Sequence, residues 1–197
     1  MKKVIGFLLL AASLPAQAHH FMGDALPRTW EQGLLSGLGH PVIGLDHAAF
    51  IVAAGFLLAR VPRGLWGAAA LVLGSLAGAA LHLGGIDIPG VEAWIALSVI
   101  LSGALLAVPR AVALSWLATG FATAGVLHGH AYAESIFGAE STPLAFYLIG
   151  FSVIQLCVAA AAFALHPWLL LRPERASIIA LGVGTAAGAV GVTFLFS

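Results

Sequence analysis

Residues 40–59 read HPVIGLDHAAFIVAAGFLLA, two histidines and an aspartate followed by a run, 48–59, without a polar side chain. Such a run belongs in a protein core or in lipid, and the rest of the chain decides which. Of 197 residues, 61% are hydrophobic and only 8% charged, with a mean hydropathy of +1.05. A soluble domain carries about a quarter charged residues. This chain cannot cover a water-facing surface and reads as an integral membrane protein. Its 8 basic and 8 acidic residues balance, and no basic patch points to nucleic acid.

Working outward, six apolar segments of spanning length fall near 33–59, 64–83, 92–108, 111–131, 144–166 and 176–196. The expected fold is an all-α bundle of six transmembrane helices, one domain over 19–197. Small-xxx-small pairs such as Gly74–Gly78 and Gly184–Gly188 suit helices that approach closely in lipid. Ahead of the bundle, MKKVIGFLLLAASLPAQA (1–18) has two lysines, a short apolar run and a small-x-small end. That is the pattern of a cleaved signal peptide, too short for the ~20 residues a span needs. Cleavage makes His19-His20 the mature N-terminus. The single cysteine, Cys157, lies in an apolar run and is expected to be a packed core thiol.

Arg60 and Arg63, Arg110, and Arg172 and Arg175 occupy alternate connections, while GGIDIPGVE (84–92) and GHAYAESIFGAESTP (129–143) hold no Lys or Arg. The positive-inside rule places the arginine loops in the cytoplasm and both mature termini in the periplasm of a multi-pass inner-membrane protein. Trp66, Trp116 and Trp168 beside the arginine loops, with Trp30 and Trp94 opposite, fit interfacial belts.

In that frame His47 lies ~20 Å from the Arg60 end and His128 ~27 Å from Arg110, at ~1.5 Å per residue. His40, Asp46, His47, His82, Glu92, His128, His130, Glu134 and Glu140 all map to the outer half, and His166 alone to the cytoplasmic end. An ionisable group in lipid costs ~2.5 kcal/mol or more unless paired or neutralised, so these residues are functional candidates. Imidazole with carboxylate suits nickel, copper, zinc or iron(II). Each group also has a structural reading: His82 as a helix–helix hydrogen bond, Asp46-His47 as a bridging pair, Glu92 as a cap. On that reading His130, Glu134 and Glu140 are solvated loop residues.

His40 and His47 are ~10 Å apart along a regular helix, too far to share an ion. Pro41 and Gly44 lie between them and can open the helix. Either a helix entered at Pro41 brings the two together, or they serve successive sites. On the fourth segment His128/Tyr132 and His130/Glu134 are i,i+4 pairs, with positions 128 and 130 ~200° apart, so both should not point inward.

HPVIGLDH resembles the H-x5-D-H motif of the HupE/UreJ family of membrane proteins; LHGHAYAESIFGAESTPLAFYLIG and IPGVEAWIALSV resemble its second histidine motif and third-span signature. The resemblance covers essentially the whole mature chain. It implies a permease importing nickel, or the related cobalt, for hydrogenase, urease or cobalamin. By carry-over His40, Asp46 and His47 match the first motif, and His128 with Gly129 the second. The common second motif is F-H-G-x-A-H-G-x-E; here Leu127, Tyr132 and Ala133 replace Phe, His and Gly, and the acid comes one residue early at Glu134, resembling an HGxAYGE branch.

The expected metal residues are therefore His19, His20, His40, Asp46, His47, His82, Glu92, His128, His130 and Glu134, with Ni2+ or Co2+ as the transported ion and no organic cofactor. The expected partners are that ion and membrane lipid, self-association into a homo-oligomer being open. The alternative is an intramembrane zinc hydrolase using Glu134 or Asp46 as base, although no HExxH spacing occurs. A haem bundle would need histidines at matched depth, which His47 and His128 do not obviously supply.

Overall fold

The computed structural model describes residues 25–108, 111–170 and 173–196. The expected signal peptide at 1–18, His19, His20, Arg110 and Arg172 lie outside the described residues, as do the side chains of His166, Trp168 and Arg175. The described residues form seven helices and no strand: α1 (Trp30–Ile43), α2 (Leu45–Leu58), α3 (Leu65–Leu83), α4 (Val91–Ala107), α5 (Leu114–Glu134), α6 (Ser141–Leu170) and α7 (Pro173–Leu195).

The stretch expected to form one helix over 33–59 is two. Thr29 starts α1 through a capping box with Gln32, and the helix runs through Pro41, whose ring nitrogen cannot donate to the Gly37 carbonyl. Gly44 then takes an extended backbone, φ −67° and ψ 109°, and α2 leaves at 76° to α1. The break thus falls three residues beyond the proline expected to mark it. Among the described residues three stretches are long and apolar enough to cross a membrane, Leu65–Leu83, Ser141–Leu165 and Ile178–Leu195, with the bent α1–α2 pair a fourth if it counts as one span. Helix α4 is a shorter apolar helix of 17 residues.

Three helix pairs pack most closely: α3 with α5, α4 with α7, and α1 with α6. Backbone-to-backbone approach makes this possible. A Cβ on Gly74 or Gly78 would overlap the Ala122 or Val126 carbonyl of α5, and one on Gly129 would overlap that of Ser75. Of the second expected pair, Gly184 meets Gly103 of α4, whereas a Cβ on Gly188 would enter open space.

A large apolar cluster centred on Phe50, Leu58, Leu71 and Phe121 fills one half of the bundle, and a smaller one around Tyr132, Tyr147 and Phe151 fills the other. Arg60 ties off the first: its guanidinium donates to the carbonyls of Leu106 (2.7 Å), Val108 (2.9 Å) and Leu105 (3.4 Å) at the end of α4. Cys157, expected in the core, is exposed beside the exposed Leu156. Lipid-facing and core-facing positions are equally apolar in sequence, so its neighbours could not tell them apart.

Candidate metal centre

The bend at Gly44 does what a straight helix cannot. His40 sits in the last turn of α1 and His47 in the first turn of α2, and their ring centroids stand 5.6 Å apart. Asp46, buried in the first turn of α2, turns its Oδ1 to the His47 backbone N–H at 2.8 Å, a favourable place for a carboxylate at a helix N-terminus. Gly44 must be small here, because a Cβ would approach His47 Cδ2 at 2.7 Å.

Against this corner α5 presents His128, fully buried, with its Nδ1 2.8 Å from His47 Nδ1. The depth count had left these two at different levels. It ran from Arg110, but α5 begins only at Leu114, which brings His128 to ~21 Å from the helix start. The network also favours one ring tautomer. Ser98 Oγ gives its proton to the Ile95 carbonyl at 2.7 Å, so at 3.0 Å it accepts from His128 Nε2–H. His128 Nδ1 then carries a lone pair and accepts from His47 Nδ1–H. Phe50 stacks on the His128 ring, centroids 4.4 Å apart and planes at 24°.

Two hydroxyls, both bonded to one carbonyl, surround His40 Nδ1. Tyr147 and Ser135 both donate to the Tyr132 carbonyl, at 2.7 and 2.9 Å. His40 Nδ1 lies 2.9 Å from Tyr147 Oη and 3.1 Å from Ser135 Oγ, and the two hydroxyls lie 2.9 Å from each other. Tyr132 stands between the histidines, its ring 4.7 Å from His47 and 5.2 Å from His40. Its hydroxyl is buried without a hydrogen-bond partner, an expensive state for a polar group. On the Arg60 side a cavity of ≈240 Å³ begins where this cluster ends, sharing Phe50 and Ser98 with it.

A second cluster occupies the other face of α5. His130, expected to point away if His128 points in, is also fully buried, because α3 covers that face. Its Nε2 lies 3.3 Å from His82 Nδ1, 3.2 Å from the Ile86 carbonyl and 3.5 Å from Asp87 Oδ1. Glu134 Oε1 stands 3.9 Å from its Nδ1. Sequence reasoning missed Asp87, although it lay in a loop otherwise apolar or glycine; it also missed Ser98, Tyr147 and the buried Ser75–Gln155 hydrogen bond (3.1 Å) between α3 and α6.

Thus His40, Asp46, His47 and His128 come together with Tyr132, and His82, His130 and Glu134 with Asp87. Glu92 stays exposed in the first turn of α4, within electrostatic reach of Asp46 and Glu134, and Glu140 is exposed ahead of α6.

Residues 7–194 match the family described as HupE / UreJ protein. Protein HupE of Rhizobium leguminosarum bv. viciae is 33% identical over 126 residues, 63% of this chain and 63% of that protein. The match thus spans less than two thirds of the relative's length. No solved structure matches the chain.

Proposed function

The chain belongs to the HupE/UreJ family, and from that premise we propose that it imports a divalent transition-metal ion, nickel or cobalt, through the cluster at the α1–α2 bend. The family is associated with nickel and cobalt transport. The observation that carries the reading is the buried His47–His128 pair, flanked by His40, Asp46 and the unpartnered Tyr132 hydroxyl. Two neutral imidazoles with an adjacent carboxylate suit a borderline first-row ion. Nitrogen atoms both ~2.1 Å from one ion at a right angle lie ~3.0 Å apart, close to the 2.8 Å the pair already holds.

On this reading the bent α1–α2 pair is one of six spans, the signal peptide is removed, and the arginine loops face the cytoplasm of an inner-membrane protein with periplasmic termini. The ion enters from the histidine side, is held at the bend, and leaves toward the cavity beside Phe50 and Ser98, supplying metal for hydrogenase, urease or cobalamin. Inward movement of a +2 ion gains about 4.6 kcal/mol per 100 mV of membrane potential. The hydrolase alternative draws no support from the family or the site.

The test is uptake of nickel and of cobalt, each at submicromolar concentration, in cells making the protein or His47→Ala at matched levels. Uptake that collapses in the variant supports import through this site and names the preferred ion. Equal accumulation in both, or none above cells lacking the protein, ends the reading.

A further inference from the structure

We infer that His82, Asp87 and His130 form a second site for a divalent first-row metal ion, separate from the cluster at the α1–α2 bend. The two clusters lie on opposite sides of one helix. His128 reaches His47 on α2 and Ser98 on α4, while His130 reaches His82 at the end of α3 and the loop that follows it. Positions 128 and 130 diverge by ~200° around α5, so one ion cannot serve both.

The geometry is that of ligands more than of hydrogen bonds. Three acceptor-capable atoms crowd His130 Nε2: the Ile86 carbonyl at 3.2 Å, His82 Nδ1 at 3.3 Å and Asp87 Oδ1 at 3.5 Å. One N–H can satisfy one of them well. Two ligand atoms each ~2.1 Å from an ion at a tetrahedral angle lie ~3.4 Å apart, close to the distances from His130 Nε2 to His82 Nδ1 and to Asp87 Oδ1. One nitrogen or oxygen from each of these residues falls within 4.8 Å of the others.

The surroundings add to this. His130 is fully buried, yet its Nδ1 has no hydrogen-bond partner and faces Glu134 at 3.9 Å. A carboxylate on that side favours the Nδ1–H tautomer, which presents the Nε2 lone pair to an ion. The loop bearing Asp87 is set by left-handed glycines on either side, Gly85 (φ 79°) and Gly90 (φ 66°). The Asp87 side chain is 82% exposed, so the site joins solvent to the bundle interior and can take an ion directly from solution. Nothing here depends on transport.

The experiment is equilibrium binding of Ni2+ and Co2+ to the purified full chain in detergent, with the Co2+ visible spectrum as a second readout. The wild type is expected to hold two ions. Asp87→Asn and His82→Asn should each weaken one of them about 10-fold or more and change its spectrum, leaving the other ion in place. His47→Asn should do the reverse. Asp87 is on an exposed loop, so its variant keeps the fold, checked by elution volume and Tm. A chain that holds one ion, lost in His47→Asn and untouched in Asp87→Asn and His82→Asn, overturns this inference and leaves the import reading standing. One ion lost in Asp87→Asn and His82→Asn but kept in His47→Asn supports the inference and removes the import site. Unaltered binding in Asp87→Asn and His82→Asn overturns it whatever the stoichiometry.

Discussion

His47 Nδ1 and His128 Nδ1 lie 2.8 Å apart although 81 residues separate them in the chain. At that distance one ring donates an N–H and the other accepts, so at least one imidazole is neutral. The Ser98–Ile95 hydrogen bond, the shorter of the two Ser98 contacts, favours His128 as the acceptor. For both Nδ1 lone pairs to face a bound cation, His47 would carry its proton on Nε2 instead of Nδ1.

If both rings serve one ion, as proposed, their losses should not add. His47→Asn and His128→Asn are each expected to cut submicromolar nickel or cobalt uptake about 10-fold or more, and the double variant should be no worse than either. A double-mutant cycle of initial uptake rates measures this. Additive losses would mean that the two histidines act at separate points.

Ser98 touches no expected ligand but His128, and its hydroxyl, 3.0 Å from Nε2, helps to orient that ring. Ser98→Ala should lower metal affinity about 10- to 100-fold, as loss of a supporting hydrogen bond to a ligand histidine does, while Tm changes little. Metal titration beside a thermal melt separates the two effects; unchanged affinity would reduce Ser98 to packing.

Gly44 has a φ of −67°, open to any L-residue, so Gly44→Ala carries no backbone penalty. Its new methyl would stand 2.7 Å from His47 Cδ2 and 3.3 Å from Asp46 Oδ1, and the imidazole must swing away. Folding should survive, with metal affinity down about 10-fold, since sites tolerate only ~0.5 Å of displacement. Affinity equal to wild type would show that the ring position does not matter.

Much of the centre was legible in the sequence, because ionisable groups in apolar stretches are costly and hence conspicuous. That is how His40, Asp46, His47 and His128 stood out. The break between His40 and His47 was legible as a need, but not its place: proline is the stronger helix-breaker on paper, yet the chain leaves the helix at Gly44. The burial of both His128 and His130 was not legible, since a helix wheel does not say that α5 is covered on two sides. Ser98 was invisible for a related reason. A serine that donates to its own helix is ordinary in a spanning segment, and only the packing of α4 on α5 puts His128 beside it.

Two glycines of α5 give opposite expectations from the same substitution. A Cβ at Gly129 would overlap the Ser75 carbonyl, whereas at Gly120 it meets nothing within 4 Å. Gly129→Ala should separate α3 from α5 and cost ~1–3 kcal/mol, as overpacking does. Gly120→Ala should be neutral or gain up to ~1 kcal/mol from reduced chain entropy. Thermal unfolding in detergent checks the ordering, and a larger loss at 120 than at 129 would contradict the packing of this helix pair.

Arg60 was read from the sequence as a topology signal, but its guanidinium also closes α4 through the carbonyls of Leu105, Leu106 and Val108. A cation at a helix C-terminus interacts favourably with the dipole and satisfies acceptors the helix leaves open. Arg60→Gln should therefore destabilise the chain by ~1.5–3 kcal/mol, the scale of one charge-assisted hydrogen bond. Arg60→Lys, keeping the charge but not the fork, should fall between it and the wild type. Tm in detergent ranks the three, while cysteine-accessibility labelling of the loops reports orientation separately. A wild-type Tm in Arg60→Gln would return this arginine to the role of a charge marker alone.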